Sequence, residues 1–451
     1  MRILPTIAFM YLCNSLDKGN ISNAKTNGLD VDIGLHGNQW NLVLCIFFVP
    51  YVLFAFPLQF IVRKFNPANV IPVMMFGFGS MTLLSCSVFN FGSFMAARWF
   101  LGMCEAAFFP GIIYYLSTFY RRNELARRLG IFYAASNIGN AFSGLLSYGV
   151  FQINTHRLKG WQILFLIEGG FTVIFSLFAY FYLPRTVSNC SFLTEEETEC
   201  AIWRIESDSS SKSSSQATSS LSEAASILKH PLPYLWILAE FCIVVPLNSV
   251  NNWFPQIIQN LGHGKVLTNL YTVAPNVWGA FALLVMCFCS DYLRIRSIFF
   301  MLAVILTLIG FIVFSQIDIH SHLGVAYFTC FLMTSGTSAS SVLNSAWSSN
   351  NIPNENGRAL MSVLSIGFGN SAGLISTNIF LAKDAPKYTQ ALHITAGFGA
   401  AGCAIAIFIL TFQVLDNRRR NREQGVNWTY RDVPTHELQD GFFSPSFRWM
   451  H

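Results

Sequence analysis

The chain has 451 residues, of which 53% are hydrophobic and 11% charged, with 43 Phe and a mean hydropathy of +0.45. Soluble domains carry roughly 25% charged residues, so this composition excludes a water-soluble protein, and its long apolar runs differ from the weak alternation of a membrane β-barrel. The net charge of +5 is small and distributed among short loops, which gives no support for nucleic-acid binding.

Apolar segments long enough to cross a bilayer as helices, about 20 residues each, fall near 3–24, 39–62, 69–88, 92–119, 129–152 and 161–183. Six more fall near 232–257, 268–290, 297–316, 323–347, 358–382 and 392–415. The expected protein is therefore an all-α membrane protein of twelve transmembrane helices in two six-helix bundles, residues 1–184 and 231–416, with a tail at 417–451. Between the bundles, 185–230 carries the acidic cluster Glu195 to Glu199 and a serine-rich run around Ser207 to Ser222, too polar to pack, and reads as a flexible linker. The first span starts almost at Met1 without a cleavage pattern, so it reads as a retained helix.

Short-loop charge sets the orientation. Arg63 and Lys64, Arg121, Arg122, Arg127 and Arg128, Arg294 and Arg296, Arg358, and Arg418 to Arg420 with Arg422 all fall on one side. That side is expected to be cytosolic, together with both termini and the linker, in a multi-pass protein of the plasma membrane or an internal membrane. The 11 Cys are scattered, with Cys287 and Cys289 the only close pair, and read as small packing residues. His263, His320 and His322 lie in expected outer loops without carboxylates at ligand spacing, so no metal is expected.

The fourth span, Ala96 to Gly111, places Arg98 and Glu105 inside an apolar helix. Seven residues turn almost two full circles, so both side chains leave one face at different depths. Each charge near a bilayer centre costs about 2.5–3.5 kcal/mol, which favours a partner or a polar cavity over lipid. Asp17 and Lys18 place two more charges in the first span. Glu168 and Glu240, near the starts of spans six and seven, are expected to be structural.

An internal echo points to duplication. Arg128 is followed by Gly139, Asn140 and Gly144 in span five, and Arg358 by Gly369, Asn370 and Gly373 in span eleven, with equal Arg-to-Asn separations. Parallel repeats of this kind form a site at their interface near the membrane midplane. Candidate cavity residues are Tyr133, Asn137 and Asn140 in span five, Asn248 and Asn252 beside Pro246 and Pro255 in span seven, and Asn344 and Trp347 in span ten. Amides in a spanning helix need polar neighbours, and proline frees backbone carbonyls, which suits a cavity with a gating bend.

Six spans, a polar linker and six spans resemble the major facilitator superfamily. Leu16 to Ile21 with Asn23 and Ala24 is similar to the first-helix pattern of the fungal allantoate permease branch of the anion:cation symporter family. Arg98 to Gly102 through Glu105 to Gly111, Leu267 to Pro275, Ser290 to Arg294, and Asp384 to Tyr388 resemble further segments of that family. Two departures stand out: Lys18 occupies the position of the family's usual Arg, and the loop between helices two and three carries Arg63 and Lys64 without an acid, whereas its repeat counterpart keeps Asp291 and Arg294. A lysine is a point charge and lacks the planar fork that grips carboxylates.

The resemblance implies that helices one and four line the central cavity. Asp17 and Glu105 are the expected proton-coupling groups, and Lys18 and Arg98 the expected anion ligands. Asp291, Arg294, Arg128 and Arg358 are the expected gating residues. It further implies proton-coupled uptake of a small carboxylate such as nicotinate, allantoate or pantothenate, by a monomer in the lipid bilayer, with the proton as coupling ion and no cofactor. A nutrient-sensing receptor derived from a transporter, and a carrier of a dipeptide, sugar or organic cation, are the alternatives. No nucleophile motif or clustered metal ligand points to an enzyme.

Overall fold

The computed structural model describes residues 3–120, 122–153, 157–190, 193–208, 226–262, 264–318, 321–352, 355–385, 387–430, 432, 442 and 444–451, and all regular structure among them is helical. The first bundle comprises α1 (Ile3–Thr26), the short α2 (Leu29–Asp32), α3 (Gln39–Lys64), α4 (Pro67–Leu84), α5 (Phe91–Glu105), α6 (Phe108–Ser117), α7 (Arg122–Val150) and α8 (Gly160–Tyr182). The connecting segment contains α9 (Glu195–Asp208), and the serine-rich stretch at 209–225 lies outside the described residues, as do His263 and His320. The second bundle comprises α10 (Leu232–Gln259), α11 (Lys265–Tyr271), α12 (Val273–Leu293), α13 (Arg296–Gln316), α14 (Leu323–Asn350), α15 (Glu355–Asn378) and α16 (Thr389–Gln424).

Two crossings are interrupted, α5–α6 and α11–α12. Pro110 and Pro275 are each the third residue of the second segment, and neither has an N–H to return to the carbonyl four residues back, at Ala106 and Tyr271. Counted as one crossing each, they complete the twelve expected passages. Among the described residues nine passages are apolar enough to span by composition, and α1, α7 and α14 are not among them. These three bury polar side chains within the protein: Asn14, Asp17, Asn20 and Asn23 on α1, Ser143 and Ser147 on α7, Thr334, Ser340 and Asn344 on α14. Large apolar side chains such as Phe56, Phe181, Phe288 and Phe328 face outward, as a helix in lipid requires.

Both bundles use the same packing. α1 packs on α7 as α10 packs on α15, α4 on α8 as α13 on α16, and α3 on α5 as α12 on α14. The bundles then meet along related seams, α7 against α12 and α3 against α15. The echoed glycines mark these seams. A Cβ at Gly144 would collide with Thr272 Oγ1, and one at Gly373 with the Phe48 ring. Small residues at such crossings let backbones approach closely.

The end opposite the basic loops is closed across the bundles. Gln256 Nε2 donates to Ser22 O at 2.9 Å, Asn41 Nδ2 to Phe380 O at 2.8 Å, and Asn269 Nδ2 to Thr26 Oγ1 at 3.1 Å. Lys25 of α1 lies 4.9 Å from the Trp40 ring and 4.3 Å from that of Trp253 on α10, which stacks on Phe380. At the basic-loop end, residues 444–451 fold back onto the second bundle. Phe442, Phe447 and Trp449 are buried there, and Asn351 bonds both the N–H and the carbonyl of Met450.

Candidate functional site

Adjacent helical residues point about 100° apart, and this separates the two charges of α1. Lys18 follows Tyr11, Asn14 and Ser15 at helical spacing, and all four line a cavity between the bundles. Its volume is about 160 Å³. The first bundle adds Phe47, Phe48 and Tyr51 from α3, Arg98 from α5, and Tyr133 and Asn140 from α7. Opposite them lie Glu240, Asn248, Asn251 and Asn252 of α10, Ser341 of α14 and Asn370 of α15. Asn140 and Asn370, the echoed pair, thus face one cavity from two bundles.

The cations concentrate on the first-bundle wall. Lys18 Nζ forms an ion pair with Glu105 Oε2 at 3.0 Å. The Glu105 side chain is fully covered, whereas that of Lys18 keeps 39% exposure, so the cavity meets the ammonium and the carboxylate sits behind it. Arg98 is buried with its guanidinium 5.1 Å from the Phe47 ring centroid, and its Nε has no hydrogen-bond partner. Phe47 and Tyr51 also lie 6.0 and 5.6 Å from Lys18 Nζ. Aromatic faces hold both cations where water is scarce.

Asp17 is elsewhere. It is fully buried, turned from the cavity toward Thr82 of α4 and Thr172 and Glu168 of α8. Neither Asp17 oxygen has a hydrogen-bond partner, and Thr82 donates its proton to Phe78 O. Glu168 Oε1 accepts from Ser143 Oγ at 3.1 Å, and Ser143 accepts from Asn23. Of the four charges expected to gather, Lys18 and Arg98 line the cavity, Glu105 sits behind Lys18, and Asp17 lies in the packing of α1 on α8, within electrostatic reach of Glu105.

The remaining expected site residues divide as well. Tyr133, Asn140, Asn248 and Asn252 line the cavity. Asn137 bridges the bundles, its Oδ1 accepting from Ser338 Oγ at 3.0 Å. Asn344 lies behind the wall and donates to Glu240 Oε2 at 2.7 Å. Trp347 is not at the cavity: it is buried beneath the carboxyl-terminal segment, its Nε1 donating to Met450 O at 3.2 Å. Of the expected gating residues, Asp291 pairs with Arg296, and Arg294 is the C-cap of α12 in a left-handed conformation (φ 57°). Arg128 stacks 3.9 Å above the Tyr120 ring at the basic-loop end, and Arg358 lies in the first turn of α15 there.

Glu240 joins the cavity without having been among the expected cavity residues. Expected to be structural near the start of its span, it lines the cavity and is also bonded to Ser341 and Asn344 of α14. The signal was present, because Glu240, Val244, Leu247 and Asn251 recur at helical spacing on the face that carries the asparagines.

The chain resembles known transporters over nearly its whole length. It is 51% identical over 448 residues to an uncharacterised transporter of Schizosaccharomyces pombe, covering 99% of this chain and 88% of that one. The high-affinity nicotinic acid transporter of Saccharomyces cerevisiae is 29% identical over 455 residues, covering 100% of this chain and 83% of that one. Among solved structures, a bacterial homologue of the human lysosomal transporter Spinster, in an inward-facing and unoccupied conformation, superposes with a TM-score of 0.68. Its 14% identity, over 90% of this chain and 96% of that one, speaks for the fold alone. The Major Facilitator Superfamily pattern matches residues 7–377, and with twelve passages in two like-packed bundles around one cavity, this chain belongs to that superfamily of membrane transporters.

Proposed function

We propose that this transporter imports a small organic anion together with protons, by alternating access, across the plasma membrane with both termini in the cytosol. The observation that carries this reading is the Lys18–Glu105 ion pair beside Arg98 on one wall of the cavity between the bundles. Arg98 and Lys18 bind the cargo carboxylate, and Glu105 competes with it for Lys18. Protonation of Glu105 releases Lys18, and the incoming carboxylate takes the vacated position. One proton and one monoanion then enter without changing the charge of the site.

Magnitudes favour coupling. A lone monoanion entering against −100 mV inside opposes about 2.3 kcal/mol, which an accompanying proton cancels. Each unit of inward pH gradient then supplies about 1.36 kcal/mol. Cavity size supports a single-ring cargo, since a protein cavity of about 150 Å³ accepts benzene. The walls of Tyr11, Phe47, Tyr51 and Tyr133 suit a flat ring, so a nicotinate-like acid fits better than the longer allantoate or pantothenate. Tyr133, Asn140, Asn248 and Asn252 orient the ring, and Asp291 with Arg296, Arg128 and Arg358 work the cytosolic gate. The similarity to a nicotinic acid transporter supports the same cargo.

The test is uptake of labelled nicotinate by the purified protein in liposomes. Accumulation is expected to follow an inward pH gradient and to collapse with a protonophore. Glu105→Gln is expected to keep exchange while losing the response to the gradient. Binding without accumulation would point to a receptor, and uptake indifferent to pH would end the coupling mechanism.

A further inference from the structure

The second-bundle wall carries one carboxylate, Glu240, which the anion mechanism does not use. It is 4% exposed and sits at the cavity surface. Its Oε1 accepts from Ser341 Oγ and its Oε2 from Asn344 Nδ2, so its plane is fixed while each oxygen keeps a second lone pair. α15 closes against it at Gly369, where a Cβ would approach Glu240 Cγ to 3.1 Å. Tyr133 of α7 is the titratable group facing it from the first bundle. Among the described residues no Lys, Arg or His pairs with it.

A buried carboxylate held by two neutral donors has no positive partner to make such burial tolerable. The opposite wall presents two cations to the cavity, Lys18 and Arg98, with the acids of the first bundle set behind them. The cavity is thus polarised across its width. A cargo that is only an anion satisfies one wall and leaves the other unmatched.

We infer that Glu240 binds a basic nitrogen of the cargo, so that the substrate class is a small acid with a carboxylate at one end and a basic ring or amine nitrogen at the other. One proton, drawn from the medium, lies between the Glu240 oxygen and that nitrogen. No covalent bond changes, and the proton travels with the cargo. Ser341 and Asn344 are positioning residues that aim the carboxylate into the cavity. This inference rests on the anion-importer reading for the carboxylate end, and assigns the other end independently.

The experiment uses two matched probe pairs with the full-length protein in liposomes and in detergent. Nicotinate and benzoate differ only in the ring nitrogen, as do nicotinamide and benzamide. Binding is read as ligand-induced thermal stabilisation and as competition against labelled nicotinate. The wild type is expected to prefer nicotinate over benzoate at least tenfold. Glu240→Met is expected to bring that ratio within twofold by weakening nicotinate while leaving benzoate unchanged. Glu240→Gln, which restores a neutral donor, is expected to recover part of the preference. A purely structural role would weaken both members of each pair alike. Should the methionine variant fail to accumulate, Ser341→Ala is expected to narrow the preference several-fold on its own.

An unchanged ratio in the Glu240 variants, or equal binding of nicotinate and benzoate by the wild type, overturns the inference and leaves the anion-importer reading standing. Preference for nicotinamide over benzamide without binding of either acid, lost in Glu240→Met, does the opposite. Binding of none of the four probes overturns both.

Discussion

The two bundles share one packing scheme and divide the chemistry unequally. Equivalent helix pairs meet in each, and the echoed Asn140 and Asn370 face one cavity. Yet the first bundle holds Lys18, Arg98 and Glu105, with Asp17 and Glu168 deeper in its packing, while the second offers Glu240 set among hydroxyls and amides. Like packing supplies a symmetric frame around a central site, and asymmetry of charge gives that site two unlike walls. Loops show a similar contrast. Asp291 and Arg296 pair between α12 and α13, whereas the corresponding first-bundle loop has Arg63 and Lys64 with no acid in its sequence.

If the first bundle carries the anion site, substitutions there outweigh those opposite. Arg98→Met is expected to cut uptake about 100-fold, because losing a buried charge partner costs about 2–5 kcal/mol. Arg98→Lys should recover little of it, since a point charge lacks the planar fork. Ser341→Ala, across the cavity, should stay within about tenfold, and equal losses in initial-rate measurements on the two walls would break the comparison.

The ion pair gives the next largest effect. Lys18→Met leaves the Glu105 carboxylate covered without its cation, expected to lower stability by about 3 kcal/mol, at the lower end for broken buried pairs because Lys18 is partly open to the cavity. Adding Glu105→Gln should restore most of that stability without restoring uptake. Thermal unfolding of the two single variants and the double variant in detergent measures the coupling; additive losses would deny the pair its importance.

The seams sharpen the comparison further. Gly373→Ala drives a methyl into the Phe48 ring where α15 crosses α3. Overpacking of this kind costs about 1–3 kcal/mol, charged mainly to the state in which this end is closed. Labelling of Ser22→Cys by a membrane-impermeant thiol reagent, in a background with exposed cysteines replaced, is expected to rise about tenfold. Gly397→Ala, with nothing near its Cβ position, is the control.

Apolar run length made the twelve passages legible, and even the three passages too polar to qualify by composition were recognisable by their continuity. Helical spacing separated less than it might have. Asp17 and Lys18 are neighbours in sequence and lie on different faces, a consequence of the 100° step that treating them as one charged pair ignores. Glu240 was legible on the asparagine face of α10. Trp347 was not, because its role depends on a chain segment a hundred residues away whose return no local pattern announces. The pairing of Arg296 with Asp291 was hidden for a related reason, since it forms across the left-handed turn at Arg294 that ends α12.

That returning segment gives the smallest and most condition-dependent effect, and it has no counterpart described in the first bundle. His230 precedes α10 and is packed against Phe412, Phe442 and Trp449, its Nδ1 accepting from the Leu232 N–H at 3.2 Å. Burial holds its pKa below the ordinary histidine value, with Arg420 adding to the depression and Asp416 opposing it. His451, beside Asn417, is lowered by burial as well. A histidine depressed in the docked state takes up a proton on release, so docking is at full strength above the ordinary histidine pKa of about 6.5 and weakens as the pH falls from there toward the lowered value. Limited proteolysis after Arg448 should therefore quicken between pH 7.5 and 5.5 for the wild type. In His230→Phe, which keeps the ring contacts and loses the titrating nitrogen, the acceleration should shrink to the share left to His451; an undiminished response would place the sensitivity in other groups.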